Sequence, residues 1–357
     1  MDPGLLSEIH AHPDDDAPRL VLADALQSAG DPRGELIAVQ CELARLGAPP
    51  GRLFQEWIGD GIVSADISTL RKREVALLRK HGDEWTRAAQ RFAVPDGVKM
   101  RRGFVEHVRW DCAHHFSSGL SPLLTVAPLV QTITFATQLR SGSLAKFYAR
   151  PELEKIRELY VPAATSLAQA RLHLTRLDVN HTGGPHELRD VVKAPWFGQL
   201  HALTLSSFGL DADDVAALLK PMRKLVELQL ISSRCGMAAA EVLAASPVAS
   251  KLEILSLRHA RLASGDVAKL LRAPRWPALA ALDLRSNTID SSDIAALETL
   301  PALRVLNVAN TKLDDTSARA LERLKTKLRS LDARDNAIGA ARKTALKKAF
   351  AHARLAL

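Results

Sequence analysis

The chain is poor in the residues that most often announce chemistry. Its 357 residues hold only three cysteines, Cys41, Cys112 and Cys235. An odd number, far apart and without paired spacing, they exclude a disulfide framework and a cysteine-based metal site, and they suit a reducing compartment. With no His marking a partner for Cys112 or Cys235, buried packing is the expected role of both. His114 and His115 stand adjacent without further ligands, the pattern of loop histidines. No Gly-rich loop leads into Lys and Ser/Thr, which argues against nucleotide hydrolysis. No run approaches eighteen uninterrupted apolar residues, and MDPGLLSEIHAHPDDD lacks a basic segment followed by an apolar one. Neither a membrane span nor an export signal is expected, and a cytoplasmic location follows. No catalytic set remains, so the expectation is a non-enzymatic protein without a cofactor.

What the chain does have is core material and charge. At 47% hydrophobic and 25% charged residues, its composition is that of a folded protein. The net charge of +8 is unevenly placed. Residues 1–50 carry nine acids against Arg19, Arg33 and Arg45, whereas residues 321–357 carry ten Lys and Arg against three acids. One end is acidic and the other basic.

The strongest pattern is a repeat. In Leu279-Ala280-Ala281-Leu282-Asp283-Leu284-Arg285-Ser286-Asn287-Thr288-Ile289, apolar residues fall at positions 1, 4, 6 and 11 and Asn at 9. Related segments start at Val105, Val130, Ile156, Leu174, Leu200, Leu225, Leu252, Leu279, Leu303 and Leu328, with the first four degenerate. The intervals are 25, 26, 18, 26, 25, 27, 27, 24 and 25 residues. Eighteen residues after the last six starts lie Leu218, Leu243, Leu270, Leu297, Leu321 and Leu346. In DDVAALL, GDVAKLL and SDIAALE an apolar residue precedes that Leu by three, the spacing of one helical face. Each unit therefore reads as strand, turn, helix and return. About 250 residues resemble leucine-rich repeats of the ribonuclease-inhibitor type. That resemblance implies an α/β solenoid, a horseshoe with parallel strands inside and helices outside, after a small all-α region. Asn287 and Asn336 suit the turn at position 9; Thr182, Ser233 and Thr311 offer hydroxyls there. Ala164, Phe208 and Ala260 have no side-chain polar atom, so their turns need other hydrogen-bond partners.

Ahead of the repeats, Leu5–His10 reads as a short helix, and Asp14, Asp15 and Asp16 as N-cap candidates for a second with Pro18 in its first turn. Leu20, Leu22, Ala23 and Leu26 supply its apolar face. Gly30 ends it, Asp31-Pro32 starts a third, and Ile37, Ala38, Cys41 and Leu43 continue toward Leu46. PDDDAPRLVLADALQSAGDPRGELIAVQCELARL resembles the short repeat-companion domain found at the N-termini of certain bacterial proteins, many of which continue into leucine-rich repeats. Leu22 and Ala25 stand where that pattern carries an aromatic and a Trp. The resemblance implies company and no activity. GAPPGR, residues 47–52, reads as a linker. Leu53 to about Ala93 is helix-patterned, with Leu70, Val75, Leu77, Leu78 and Trp85 as core contacts, and HGDEWTRAAQRF and RRGFVEHVRW resemble the joint to the repeats. The expected divisions are 1–47, companion domain; 48–103, helical bridge and cap; 104–340, repeats; and 341–357, a closing helix with Ala345, Leu346 and Phe350 inward.

Positions 3, 5, 7 and 8 of each unit are expected on the concave face. The candidate partner-binding residues there are Tyr160, Asp178, Asn180, His181, Gln229, Arg258, His259, Asp283, Arg285, Asn307, Asp332 and Arg334. Such a face suits a protein partner, with Arg258, Arg285 and Arg334 as anchors. The plainer reading makes Asp283 with Arg258 or Arg285, and Asp332 with Arg334, mutually satisfied ladder pairs. The basic residues Arg342, Lys343, Lys347 and Lys348 offer another class of function, attachment to nucleic acid or another polyanion. Regulation of a partner GTPase is a third reading, by similarity to other helix-bearing repeat proteins. A monomer without membrane contact is expected.

Overall fold

The computed structural model describes residues 3–46, 65–136, 141–180, 185–272 and 276–357. These fall into two compact units, the first ending at Tyr160 and the second running from Val161 to the C-terminus. The 47–52 linker and Thr182 lie outside the described residues.

The first unit opens with α1 (Pro3–Ala11), α2 (Ala17–Ser28), α3 (Pro32–Arg45) and α4 (Ala65–Gln90). Between α2 and α3, Gly30 takes φ +74°, and Asp31 accepts a hydrogen bond from the Arg33 N–H at 2.8 Å. Gly34 lets the two helices touch, because a Cβ there would lie 2.4 Å from the Ala23 carbonyl oxygen. The buried stripe of α2 is Arg19, Leu22 and Ala23, so Leu20 is 42% exposed rather than inward. Of the three aspartates, Asp15 accepts from the Ala17 N–H at 2.9 Å. Asp16 makes no side-chain cap bond and instead pairs with Arg102 at 3.4 Å.

On α4, Leu77 is buried but Val75 is 61% exposed. Glu74 holds the inward position, accepting from Gln40 Nε2 at 2.8 Å. The helical reading of 48–103 fails at its end. Residues 93–101 form β1 (Ala93–Arg101), antiparallel to β2 (Phe104–Trp110). Arg102 and Gly103, both at positive φ (48° and 82°), make the tight hairpin turn that right-twisted strands favour. Gly103 is required twice over, since a Cβ there would lie 2.0 Å from Ile37 Cγ1. Around this turn the helices dock. Arg19, fully buried, pairs with Glu106 at 3.0 Å. Arg33 Nε donates to the Gly103 carbonyl at 3.1 Å, and both guanidiniums lie over the Phe104 ring at 5.2 and 5.0 Å. β3 (Thr132–Phe135) and β4 (Glu158–Val161) continue from β2 in parallel, over a core in which Trp110, Phe135 and Phe147 meet edge to face and tilted.

The second unit carries β5 (Arg176–Asn180), β6 (Ala202–Ser206), β7 (Glu227–Ile231), β8 (Ile254–Ser256), β9 (Ala281–Asp283), β10 (Val305–Asn307), β11 (Ser330–Asp332) and β12 (Arg354–Ala356). Each pairs in parallel with the next. The register follows the repeat: Arg176 faces Ala202, Ala202 faces Glu227, Glu227 faces Ile254 and Ile254 faces Ala281. Position 3 thus meets position 3 along the array. Positions 4 and 6, such as Leu203, Leu205, Leu228, Leu230, Leu282 and Leu284, are buried beneath the helices. Each contributes about 1.5–3 kcal/mol by leaving water. The helices of the later repeats span Ala212–Leu219, Gly236–Ala245, Asp266–Leu271, Ser291–Ala296 and Asp315–Leu321. Leu218, Leu243, Leu270, Leu297, Leu321 and Leu346 are all buried.

The turns are completed between repeats. Asn287 Oδ1 accepts from the N–H groups of Ala260 and Leu262 in the preceding repeat, both at 3.1 Å. Its Nδ2 donates to the carbonyls of Leu257 and Leu284, both at 2.8 Å. Asn336 serves Thr311 and Leu313 in the same way, at 2.9 and 3.0 Å. The turn at Ala260, which has no polar side chain of its own, is therefore satisfied by its neighbour. Asp293, fully buried, likewise accepts from Gly265 and Ala268 of the helix before it, at 2.9 and 2.8 Å. The expected closing helix is helical over Ala340–Ala349 only. Leu346 and Phe350 are buried as expected, but Arg354–Ala356 then adds a strand beside β11.

Candidate interaction face

Opposite the buried leucines, positions 3, 5 and 7 of the second unit line the strand face that the repeat helices leave uncovered. At its N-terminal side Arg176 and Glu227 occupy position 3 with Ala202 between them. Because Ala202 is short, Arg176 reaches across β6 and forms a two-pronged ion pair with Glu227, at 2.9 and 2.6 Å. Gln229 Nε2 donates to the same carboxylate at 2.7 Å. Asp178 lies beside this pair and is pushed up to about 7, first by burial, with Glu227 acting in the same direction and Arg176 against it. With the guanidinium engaged by Glu227, little positive charge is left for Asp178.

Position 5 proves to be structural in the later repeats. Asp283 is 1% exposed; it accepts from the Arg285 N–H at 2.9 Å and the Ser256 hydroxyl at 3.3 Å. Burial pushes it up to about 6, against that backbone bond and the charges of Arg285 and Arg258. Asn307, also buried, accepts from the Ala309 N–H at 3.0 Å. Asp332 accepts from the Arg334 N–H at 3.2 Å. Burial works to raise the Asp332 carboxyl, yet the Arg334 hydrogen bonds and charge hold it below the usual range. Position 5 therefore fastens position 7 of its own repeat. Asp283–Arg285 (3.5 Å) and Asp332–Arg334 (2.6 Å) are pairs within one repeat rather than across two.

The candidate residues are thus sorted by burial. Gln229, Asp283 and Asn307 are buried; Asp178, Arg258, Arg285 and Asp332 are half-buried; Asn180, His259 and Arg334 are exposed. His181 lies outside the described residues. Tyr160 belongs to the first unit, its ring stacked 6.3 Å from that of His107.

Position 7 is brought into a column by hydrogen bonds running past the strands: Ser232 N–H to Arg258 carbonyl, His259 to Arg285, Ser286 to Ala309 and Asn310 to Arg334, at 2.8 to 3.1 Å. The donor in every case is position 8, and Ser207, Ser232, His259, Ser286, Asn310 and Asp335 all hold φ between 52° and 66°. Position 10 is left-handed as well at Arg234, Arg261 and Lys312 (φ 53°, 64°, 64°). These three, with Arg176 and Glu227, escaped the sequence reading, although counting position 10 down the repeats would have found the cations.

Elsewhere the chemistry is muted. All three cysteines are buried and outside any disulfide, and burial pushes the Cys41 thiol up to about 12. His114 bonds the Asp111 carboxylate at 2.7 Å, and His115 packs on Phe92 at 5.1 Å. Among the described residues no group of three or more His, Cys, Asp or Glu could hold a metal ion, and no helix is long and apolar enough to cross a membrane.

Comparison with known proteins bears on the same region. A family model described as leucine rich repeat matches residues 277–338, the repeats that begin at Leu279 and Leu303 and the start of the next. No curated protein matches the chain. Among solved structures, the mouse RP105/MD-1 complex is similar at 16% identity and a TM-score of 0.38, over 62% of this chain and 41% of that one. An internalin (inlF) from Listeria monocytogenes str. 4b F2365 is similar at 17% identity and a TM-score of 0.38, over 66% of this chain and 69% of that one. The chain spans 41% of the length of the first of these. The fold is a leucine-rich repeat α/β solenoid, preceded by a helical region.

Proposed function

We propose that this chain is a non-catalytic scaffold that binds a protein partner on the concave, strand-lined face of its leucine-rich repeats. The observation that carries this reading is the uncovered column at positions 7 and 8. It is fixed in register by backbone hydrogen bonds and presents Arg258, His259, Arg285 and Arg334 from neighbouring strands. A rigid row of polar side chains suits recognition, because the ordering cost is met during folding rather than on binding. The helices of the first unit act as a companion domain and the repeats as ribonuclease-inhibitor-like units, in a bacterial cytoplasmic protein that is monomeric until it meets its partner. Arg258→Glu combined with Arg285→Glu tests this. A partner captured from the native cell by the full chain and identified by mass spectrometry is expected to be lost on double reversal while the circular dichroism spectrum is unchanged. Undiminished capture of that partner would remove this face from consideration.

A further inference from the structure

The cations on this face are arranged beyond what the fold requires. Over positions 7 to 10 of the repeats beginning at Leu225, Leu252, Leu279, Leu303 and Leu328 stand Arg234, Arg258, Arg261, Arg285, Lys312 and Arg334, against the single acid Asp335. Arg334 and Arg285 answer to Asp332 and Asp283. The other four differ: among the described residues, Arg234, Arg258, Arg261 and Lys312 form no ion pair within 4 Å and no side-chain hydrogen bond, although the charge of Arg258 still acts on Asp283 from farther off. Arg234, Arg261 and Lys312 are also exposed. Yet all three sit at left-handed φ, where a long side chain is disfavoured relative to Gly or Asn. Backbone strain that returns no pairing is the kind retained for binding.

We propose that this rim, where the strands of the later repeats leave the sheet, docks an acidic segment of a protein partner. The inference rests on the interaction-face reading above and names the partner's chemistry. Adjacent parallel strands lie about 4.8 Å apart, so β7 to β11 spread the cations over roughly 19 Å. An extended segment with carboxylates on alternate residues repeats about every 6.6–6.8 Å, and three of them span most of that row. Position 5 decides between a polypeptide and a polynucleotide. Asp283 and Asp332 lie immediately behind the arginines and disfavour a continuous phosphate backbone, whereas a peptide can set its uncharged residues against them. No Phe, Tyr or Trp occupies positions 3, 5, 7, 8 or 10 of these five repeats, so His259 is the one ring there that could stack a base.

The test uses the full chain and three fluorescein-labelled probes in anisotropy titrations: a twelve-residue peptide alternating Glu and Ser, the same peptide with Lys for Glu, and a twelve-nucleotide thymidine strand. The Glu peptide is expected to bind, to weaken at least tenfold between 50 and 300 mM salt, and to weaken at least tenfold with Arg258→Glu plus Arg261→Glu. Lys347→Glu plus Lys348→Glu, on the C-terminal helix, is expected to leave it unchanged. Failure of the Glu peptide to bind at low salt, indifference to the rim reversal, or tighter binding of the thymidine strand lost on the same reversal would each overturn the proposal. If the Glu peptide fails while the Arg258/Arg285 reversal still abolishes partner capture, the interaction face stands and its acidic ligand does not.

Discussion

Replacing Asn287 by Ala should destabilise the second unit more than the loss of one polar side chain usually does. The side chain is 5% exposed and serves two N–H groups and two carbonyls of two repeats. Truncation leaves the Ala260 and Leu262 N–H groups without their acceptor in a site closed to water. A buried unsatisfied donor costs about 1–3 kcal/mol, so the pair alone costs about 2–6 kcal/mol. The carbonyls add less, since each retains a second lone pair. Asn336 makes the same bonds from a half-buried position, where water can replace it, and Asn336→Ala should cost about half as much. Urea titration followed by circular dichroism reads the overall loss. Because repeat arrays can unfold in parts, native-state hydrogen exchange at Ala260 and Leu262 reads it locally. A loss below about 1 kcal/mol for Asn287→Ala, or unchanged protection at those two amides, would refute the view that one repeat's Asn completes another's turn.

Two further expectations concern buried charge. Asp283 is pushed up to about 6 in the folded state, above the ordinary 3.8, so folding favours its protonated form. The stabilisation is complete below about pH 4 and lost as pH rises through 6, up to about 3 kcal/mol. Asp283→Asn, which copies Asn307 one repeat on, should flatten the melting-temperature profile between pH 4 and 7 and raise it at neutral pH; an unaltered slope would assign the titration elsewhere. In the first unit, Arg19→Leu takes from buried Glu106 its closest ion-pair partner, leaving Arg102 at 3.8 Å and the more distant charge of Arg101, and should cost about 3–5 kcal/mol. Adding Glu106→Leu should recover most of that loss in thermal or urea melts, and a double variant as unstable as the single one would show that Arg19 matters for its packing alone.

The repeat period was legible because leucines at positions 1, 4 and 6 are set by burial alone, and spacing between identical environments survives variable loops. Nine of the ten starts lie two residues before the first strand residue, as Leu200 does before Ala202. The exposed face was less legible. Position 5 looks like polar surface in sequence, yet Asp283 and Asn307 are buried because each bends back to bond position 7, a role shared with solvent-facing Asp and Asn everywhere. Arg19 was hidden for a related reason: a charged residue at the head of an apolar stripe reads as surface until its partner, 87 positions away, is brought beside it. The strands at Ala93–Arg101 and Arg354–Ala356 are recruited by their neighbours and lack a pattern of their own.

The hydrogen bonds between repeats also give the array a direction in time. Ala260 and Leu262 wait on Asn287, Thr311 and Leu313 on Asn336, and Gly265 and Ala268 on Asp293. In each case the group that waits is made first by the ribosome, which emits about 5–20 residues per second. The closing side chain follows some 25 residues later, so a newly made turn stays open for roughly one to five seconds at that rate. During translation the growing solenoid always carries one unfinished repeat at its leading edge. A pause in synthesis just before Asn287 would hold the turn at Ala260 open for as long as the pause lasts.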